Sequence, residues 1–79
     1  MTTRIGILLY PSAQMSAVLG LTDLFQLADE IAGEAPAVPR MCVQHLTLED
    51  GTPRVVFATE PAPHSRPSVL ILPPSLAKP

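Results

Sequence analysis

Two short apolar segments near opposite ends of the chain place the strongest limit on its fold. Residues Ile5–Tyr10 and Val69–Leu72 are apolar almost without interruption and do not alternate with polar residues. This pattern is typical of strands that are covered on both faces, as in parallel sheets. Because parallel neighbours need a crossover connection, we expect the two segments to lie side by side, parallel and central, with a helix in the connection.

The segment Ser12–Ala32 has the periodicity of an amphipathic helix. The apolar residues recur at helical spacing: Val18, Leu21, Leu24, Phe25, Ala28 and Ile31. The polar residues fall mostly on the opposite face: Thr22, Asp23, Gln26, Asp29 and Glu30. The sequence therefore predicts that the first set packs on the sheet and that the second set faces solvent.

The ends of this helix have their own signals. Ser12 or Ser16 could accept a hydrogen bond from the first turn as an N-cap, and Gly33 is suited to a left-handed residue just past the end. Gly20 costs the helix about 1 kcal/mol relative to alanine. We therefore expect either a late helix start or a close approach of another group at Gly20.

Residues 41–60 are predicted to form a β-hairpin between two proline-rich loops. Asp50 and Gly51 can supply the positive φ angles of a tight turn, and residues 55–57, Val-Val-Phe, have high β propensity. The resulting order is β-α-β-β-β. We interpret residues 1–79 as one partial α/β domain, the amino-terminal part of a doubly wound, flavodoxin-like parallel sheet with a β-hairpin.

The composition excludes several classes of protein. The 79 residues are 47% hydrophobic and 15% charged, which favours a packed core over disorder. A net charge of −2, without a Lys/Arg cluster, argues against direct nucleic-acid binding. The single Cys42 cannot form an internal disulfide, and no apolar run approaches the roughly 20 residues of a membrane span. We expect a cytoplasmic protein with no membrane partner.

The stretch RIGILLYPSAQMSAVLGLTDLFQLAD resembles the opening of the PfpI-like branch of the class I glutamine amidotransferase-like superfamily. That opening consists of a hydrophobic strand, a Pro-Gly turn and a helix whose last part corresponds here to GLTDLFQLAD, residues 20–29. The hairpin VQHLTLEDGTPRV and the strand VLILPPS follow in matching order and spacing, where relatives have Pro-Gly-Gly after the strand. The resemblance covers almost the entire chain.

Within that superfamily the chain most resembles the sensor domains of AraC-type transcriptional regulators. The resemblance implies a non-catalytic, ligand-sensing and dimerising domain, with a small-molecule effector, a homo-oligomeric state and no cofactor. DNA would be bound only through a helix-turn-helix domain, which is absent from this chain. Two alternatives stay open: a hydratase or glyoxalase-like enzyme whose cysteine nucleophile lies beyond residue 79, and a short protein that works by self-association.

Family enzymes place a carboxylate near the start of the first helix, where it tunes the cysteine thiolate. Alignment on the proline and the helix glycine puts Ala17 at that position, and alanine cannot hold a proton. Pro74, after the last strand, has no N–H to offer an oxyanion. The resemblance therefore implies no catalytic residue in this chain, and it makes Ser12, Ala17, Pro74 and Ser75 a candidate wall of a ligand pocket.

Other reactive side chains have simpler interpretations. Cys42 lies inside a predicted strand and is expected to pack as a small hydrophobe. Asp23, which lies six residues beyond the aligned position, is expected on a solvated helix face. His45 and His64 lack ligand partners at metal-binding spacing, so we expect a strand residue and a surface residue, and no metal site.

Overall fold

The computed structural model describes residues 2–35, 37, 40–60 and 66–77. They form β1 (Thr2–Leu8), α1 (Met15–Ala32), β2 (Arg40–Glu49), β3 (Thr52–Ala58) and β4 (Val69–Ile71). The four strands make one open sheet in the order β3-β2-β1-β4. The predicted α/β class and the order β-α-β-β-β are confirmed, and the mixed sheet is compatible with part of a flavodoxin-like fold.

Strand β1 lies inside the sheet and is parallel to both of its neighbours. Ile5 is in register with Val43 of β2 on one side and with Val69 of β4 on the other. The predicted parallel pairing of the first and last strands is therefore confirmed, although β1 starts three residues earlier than expected and ends at Leu8. The expectation that the last strand is also central is wrong for the described sheet, where β4 forms an edge.

The hairpin of β2 and β3 is confirmed together with its turn. Asp50 and Gly51 have φ angles of 51° and 78°, and the flanking residues Glu49 and Thr52 are paired. Two positive φ angles at the centre of a two-residue loop are those of a type I′ turn, which suits the twist of the strands. The hairpin thus places β3, antiparallel, at the edge opposite β4.

Helix α1 covers β1 and β2 on one face of the sheet. Ile7, Val18 and Val43 form the centre of the core. The predicted division of the helix is partly wrong, because Thr22 is buried whereas Leu24 and Ile31 are exposed. The helix has apolar residues on two faces, and its apolar periodicity alone could not decide which face packs on the sheet.

Both predicted helix ends need correction. Gln14 is the N-cap residue and makes no side-chain capping hydrogen bond, so neither serine caps α1. Gly33 has a right-handed φ of −61°, because its N–H continues the helical pattern to the Asp29 carbonyl at 2.9 Å. Neither expectation for Gly20 holds, since it lies well inside α1 and a Cβ there would meet no described atom within 4 Å.

Pro67, shortly before β4, lies against the second face of β1 at Gly6. A Cβ atom on Gly6 would lie 2.9 Å from the Leu46 side chain and 3.0 Å from Pro67, so this position has no room for a larger residue. Burial of Ile5, Gly6 and Ile7 agrees with the uninterrupted apolar pattern of this strand. Within the described residues, no helix has the length and hydrophobicity to cross a membrane.

Candidate functional site

The carboxyl ends of β1 and β4 meet at one edge of the sheet. From β1 the chain crosses to β2 on one side, and it later returns to form β4 on the other side. This change of direction is a topological switch point, where open α/β sheets bind their ligands. The segments that follow β1 and β4, residues 9–14 and 72–77, therefore define the candidate site.

These two segments are hydrogen-bonded to each other. Ala13 and Ser75 form an isolated antiparallel bridge, in which Gln14 N donates to Pro74 O at 2.8 Å and Leu76 N donates to Ser12 O at 2.7 Å. The Tyr10 hydroxyl also donates a hydrogen bond to the carbonyl of the buried residue Pro73. The structure thus brings three predicted wall residues, Ser12, Pro74 and Ser75, together in one paired loop.

Ser12 has an unusual backbone conformation in this loop. Its φ of 73° is in the left-handed region, which costs a non-glycine residue on the order of 1 kcal/mol or more. The hydrogen bond that its carbonyl accepts from Leu76 helps to hold this conformation. Among the residues described by the structure, no histidine or carboxylate contacts the Ser12 hydroxyl, so nothing here activates it as a nucleophile.

Ala17, the fourth predicted wall residue, lies apart from the paired loop. It is half-buried in the first turn of α1, and its N–H is directed to the Gln14 carbonyl at 3.1 Å. The N–H groups of Gln14 and Leu76 are committed to carbonyl oxygens as well. The described loop therefore offers no carboxylate, and these three N–H groups are not free to bind an oxyanion.

An open groove beside the paired loop was not anticipated from the sequence. It has a volume of about 410 Å³ and is lined by Leu8, Leu9, Tyr10, Pro11, Thr47 and Leu48. Its walls are mainly aliphatic, and it lies at the carboxyl ends of β1 and β2. Small-molecule sites are usually apolar concavities of comparable size, so the groove can hold the apolar part of a ligand. Its residues come from two distant segments, so no local sequence pattern marks it.

A polar pair at the interface between α1 and β2 was also missed. Thr22 Oγ1 donates to the Val18 carbonyl at 2.8 Å and lies 2.7 Å from His45 Nε2. The single proton of the hydroxyl is used in the hydrogen bond to Val18, so the hydroxyl oxygen must accept from Nε2. We therefore assign the Nε2–H tautomer to the neutral ring of His45. Burial lowers the pKa of His45, and its ring packs on Phe57 with a centroid distance of 4.8 Å. This pair is buried and joins the helix to β2.

Asp29 joins the last turns of α1 to the start of β2. Its carboxylate accepts hydrogen bonds from Arg40 Nε at 2.7 Å, from Arg40 Nη2 at 2.8 Å and from Met41 N at 2.7 Å. The hydrogen bond from Arg40, followed by that from Met41, lowers the pKa of Asp29 to about 2. With its acceptors committed, Asp29 holds the helix on the sheet and is not a candidate acid.

The remaining reactive residues offer no site in the described part of the chain. Cys42 is buried inside β2, as predicted, and His45 lies in the same strand, but it is a buried partner of Thr22. The prediction for His64 lies outside the described residues. No group of three or more potential metal ligands occurs among the described side chains.

No protein-family model, no curated protein and no solved structure matches the chain.

Proposed function

We propose that the chain is the amino-terminal part of a non-catalytic, PfpI-like sensor domain of an AraC-type transcriptional regulator. In this proposal it works in the cytoplasm, it dimerises, and it binds a small-molecule effector at the switch point. DNA binding belongs to a helix-turn-helix domain elsewhere in the regulator. The observation that carries the proposal is the meeting of the segments after β1 and β4, where the resemblance implies a pocket.

Two details of this loop support the resemblance. Ser12 occupies the place of the glycine in the Pro-Gly turn of the family, and its φ of 73° lies in the region that glycine favours. The carbonyls of Pro73 and Pro74 accept hydrogen bonds from the opposite segment. Pro74, the second proline of the sequence Pro-Pro-Ser, therefore supplies a hydrogen-bond acceptor through its carbonyl, whereas an oxyanion hole needs hydrogen-bond donors.

The chemistry of the described residues favours a sensor over an enzyme. The aligned acid position is Ala17, and Cys42 is buried in a strand without a helix N-terminus beside it to favour the thiolate. The apolar groove next to the loop supplies binding surface for an effector without supplying a reactive group. The enzyme and the short self-associating protein remain the alternatives to be tested.

The test begins with the reading frame downstream of codon 79 and with expression of its full product. We expect a helix-turn-helix segment in that product, effector-dependent DNA binding, and no hydratase, glyoxalase or amidase turnover. The variant Cys42→Ser should leave every readout unchanged. A cysteine at a strand-to-helix elbow together with turnover would establish the enzyme, and a stop codon directly after Pro79 would favour the short protein.

A further inference from the structure

Helix α1 carries a second apolar stripe on the side that faces away from the sheet. Successive residues rotate by about 100°, so Leu24, Leu27 and Ile31 project together, more than a third of a turn away from Val18. They are 58%, 55% and 63% exposed, whereas Val18 is fully buried. We define Gly20, Leu24, Leu27 and Ile31 as the outer stripe.

The outer stripe is continuous and accessible along most of the helix. Its spacing of four, three and four residues is that of an anchor face that lies in contact with another helix. A Cβ on Gly20 would meet nothing within 4 Å, so the first position leaves room for close approach. The stripe runs for about 16 Å along the helix axis, or roughly three turns.

The charged side chains of α1 that border the outer stripe are all acidic. Asp23 and Glu30 are exposed along one edge of the stripe, and the exposed Glu34 follows the end of the helix. Residues 15–32 include no lysine or arginine, and these three acids form no ion pair with any described residue. The helix C-terminus adds a partial negative charge at the same end.

This pattern argues against a second copy of the chain as the occupant. Antiparallel pairing of two such helices would bring the acidic edges together, and parallel pairing would bring both acidic C-terminal ends together. Like charges in such contacts are destabilising. Further strands added beyond β4 would not cover the stripe either, because helices form the outer layers of a doubly wound sheet.

We propose that the outer stripe binds an amphipathic helix of a separate protein, with an apolar face edged by lysine or arginine. Apolar side chains of the partner contact Leu24, Leu27 and Ile31, and its cations lie along Asp23, Glu30 and Glu34. The apolar contacts provide most of the affinity, while the charges select the partner and its orientation. This inference does not depend on the regulator function proposed above.

The test uses two fluorescently labelled amphipathic peptides of 18 residues, each with leucine at the first and fourth positions of a seven-residue repeat. In one peptide lysine flanks the leucines, and in the other glutamate does. Fluorescence anisotropy with the 79-residue chain measures each affinity at low and at high salt. We expect the lysine peptide to bind at least about tenfold more tightly than the glutamate peptide, with a difference that shrinks in high salt.

Three variants separate this surface from the rest of the molecule. Leu27→Gln should weaken the lysine peptide about tenfold, which corresponds to about 1.4 kcal/mol. Val56→Gln, at a residue of similar exposure on β3, should leave its affinity unchanged. The double variant Asp23→Lys, Glu30→Lys keeps the apolar stripe and should reverse the preference between the peptides. Circular dichroism checks that each variant is folded.

Equal affinity for the two peptides, or an unchanged preference in the lysine double variant, would overturn the proposal. So would a self-associated chain that becomes monomeric with Leu27→Gln, because a second copy would then be the occupant. If Leu27→Gln does not fold, the lysine double variant still decides the result, since its two substitutions are at exposed positions.

Discussion

The two sides of β1 differ in the structure that covers them. On one side, Val43 of β2 lies under α1 and is 1% exposed; on the other, Val69 of β4 is 45% exposed. Both valines are register partners of Ile5 in parallel pairs. Parallel pairing is therefore common to the two sides, and the helix layer is what distinguishes them. The centre of the described core lies at the β2 side, whereas the β4 side exposes more apolar surface.

The matched valines give the largest expected effect. Val43→Ala should lower the free energy of unfolding by about 2–3 kcal/mol, because it removes buried methyl groups and leaves a cavity under α1. Val69→Ala should cost less than about 1 kcal/mol in the monomer, since this side chain is already half in water. Urea denaturation followed by circular dichroism measures both. Equal losses would mean that the two sides of β1 are equally covered.

The buried polar pair gives the next effect on the β2 side. Thr22→Val keeps the shape of the side chain but leaves His45 Nε2 without its partner, so a loss of about 1–3 kcal/mol is expected. Thr22→Ser, which keeps the hydroxyl, is the matched control and should lose much less. If the valine variant is as stable as the serine variant, the hydrogen bond does not anchor α1.

A pH titration tests the same pair without changing the fold. Burial lowers the pKa of His45 below its ordinary value of 6.5, so the unfolded chain binds a proton more readily than the folded chain does. This contribution to stability is complete above pH 6.5 and is lost as the pH falls below it. We expect the free energy of unfolding to fall by less over this pH range than it does as a result of the substitution Thr22→Val. This pH dependence should disappear in His45→Gln. If the variant keeps the pH dependence of the wild-type chain, a group other than His45 is responsible for it.

The smallest effect concerns the outer face of α1. Gly20→Ala should stabilise the chain by about 0.5–1 kcal/mol, because alanine favours the helix and its Cβ meets no described atom within 4 Å. Thermal unfolding measures the gain. A loss of stability would show that another group lies against Gly20 in solution.

Sequence patterns predicted the elements that depend on local signals, and the crossover rule for parallel strands predicted the pairing of β1 with β4. The positive φ angles of Asp50 and Gly51, and the uninterrupted apolar character of β1, are properties of neighbouring residues. The pair of Thr22 and His45 joins residues 23 positions apart, and nothing near either residue indicates the other. Local patterns therefore gave β1, the hairpin and the helix, but not the polar contact that anchors them.

The candidate site was predictable to a similar extent. The resemblance indicated Ser12, Ala17, Pro74 and Ser75 as one wall. The structure brings three of them together through backbone hydrogen bonds and leaves Ala17 apart in α1. The residue type suggested that Ser12 caps α1, which was wrong, because serine is common both in helix caps and in turns. The groove beside Leu48 depends on how the hairpin lies next to β1, which no single segment specifies.

The β4 side of the sheet exposes apolar side chains that a partner surface could cover. Besides Val69, the side chains of Leu70 and Leu72 are 56% and 66% exposed next to an open strand edge, and such apolar edges are rarely left free in soluble monomers. Sedimentation equilibrium of the 79-residue chain at high micromolar concentration tests this claim directly. We expect a dimer, a larger species or aggregation; a well-dispersed monomer with the far-ultraviolet circular dichroism of a folded α/β protein would contradict this expectation.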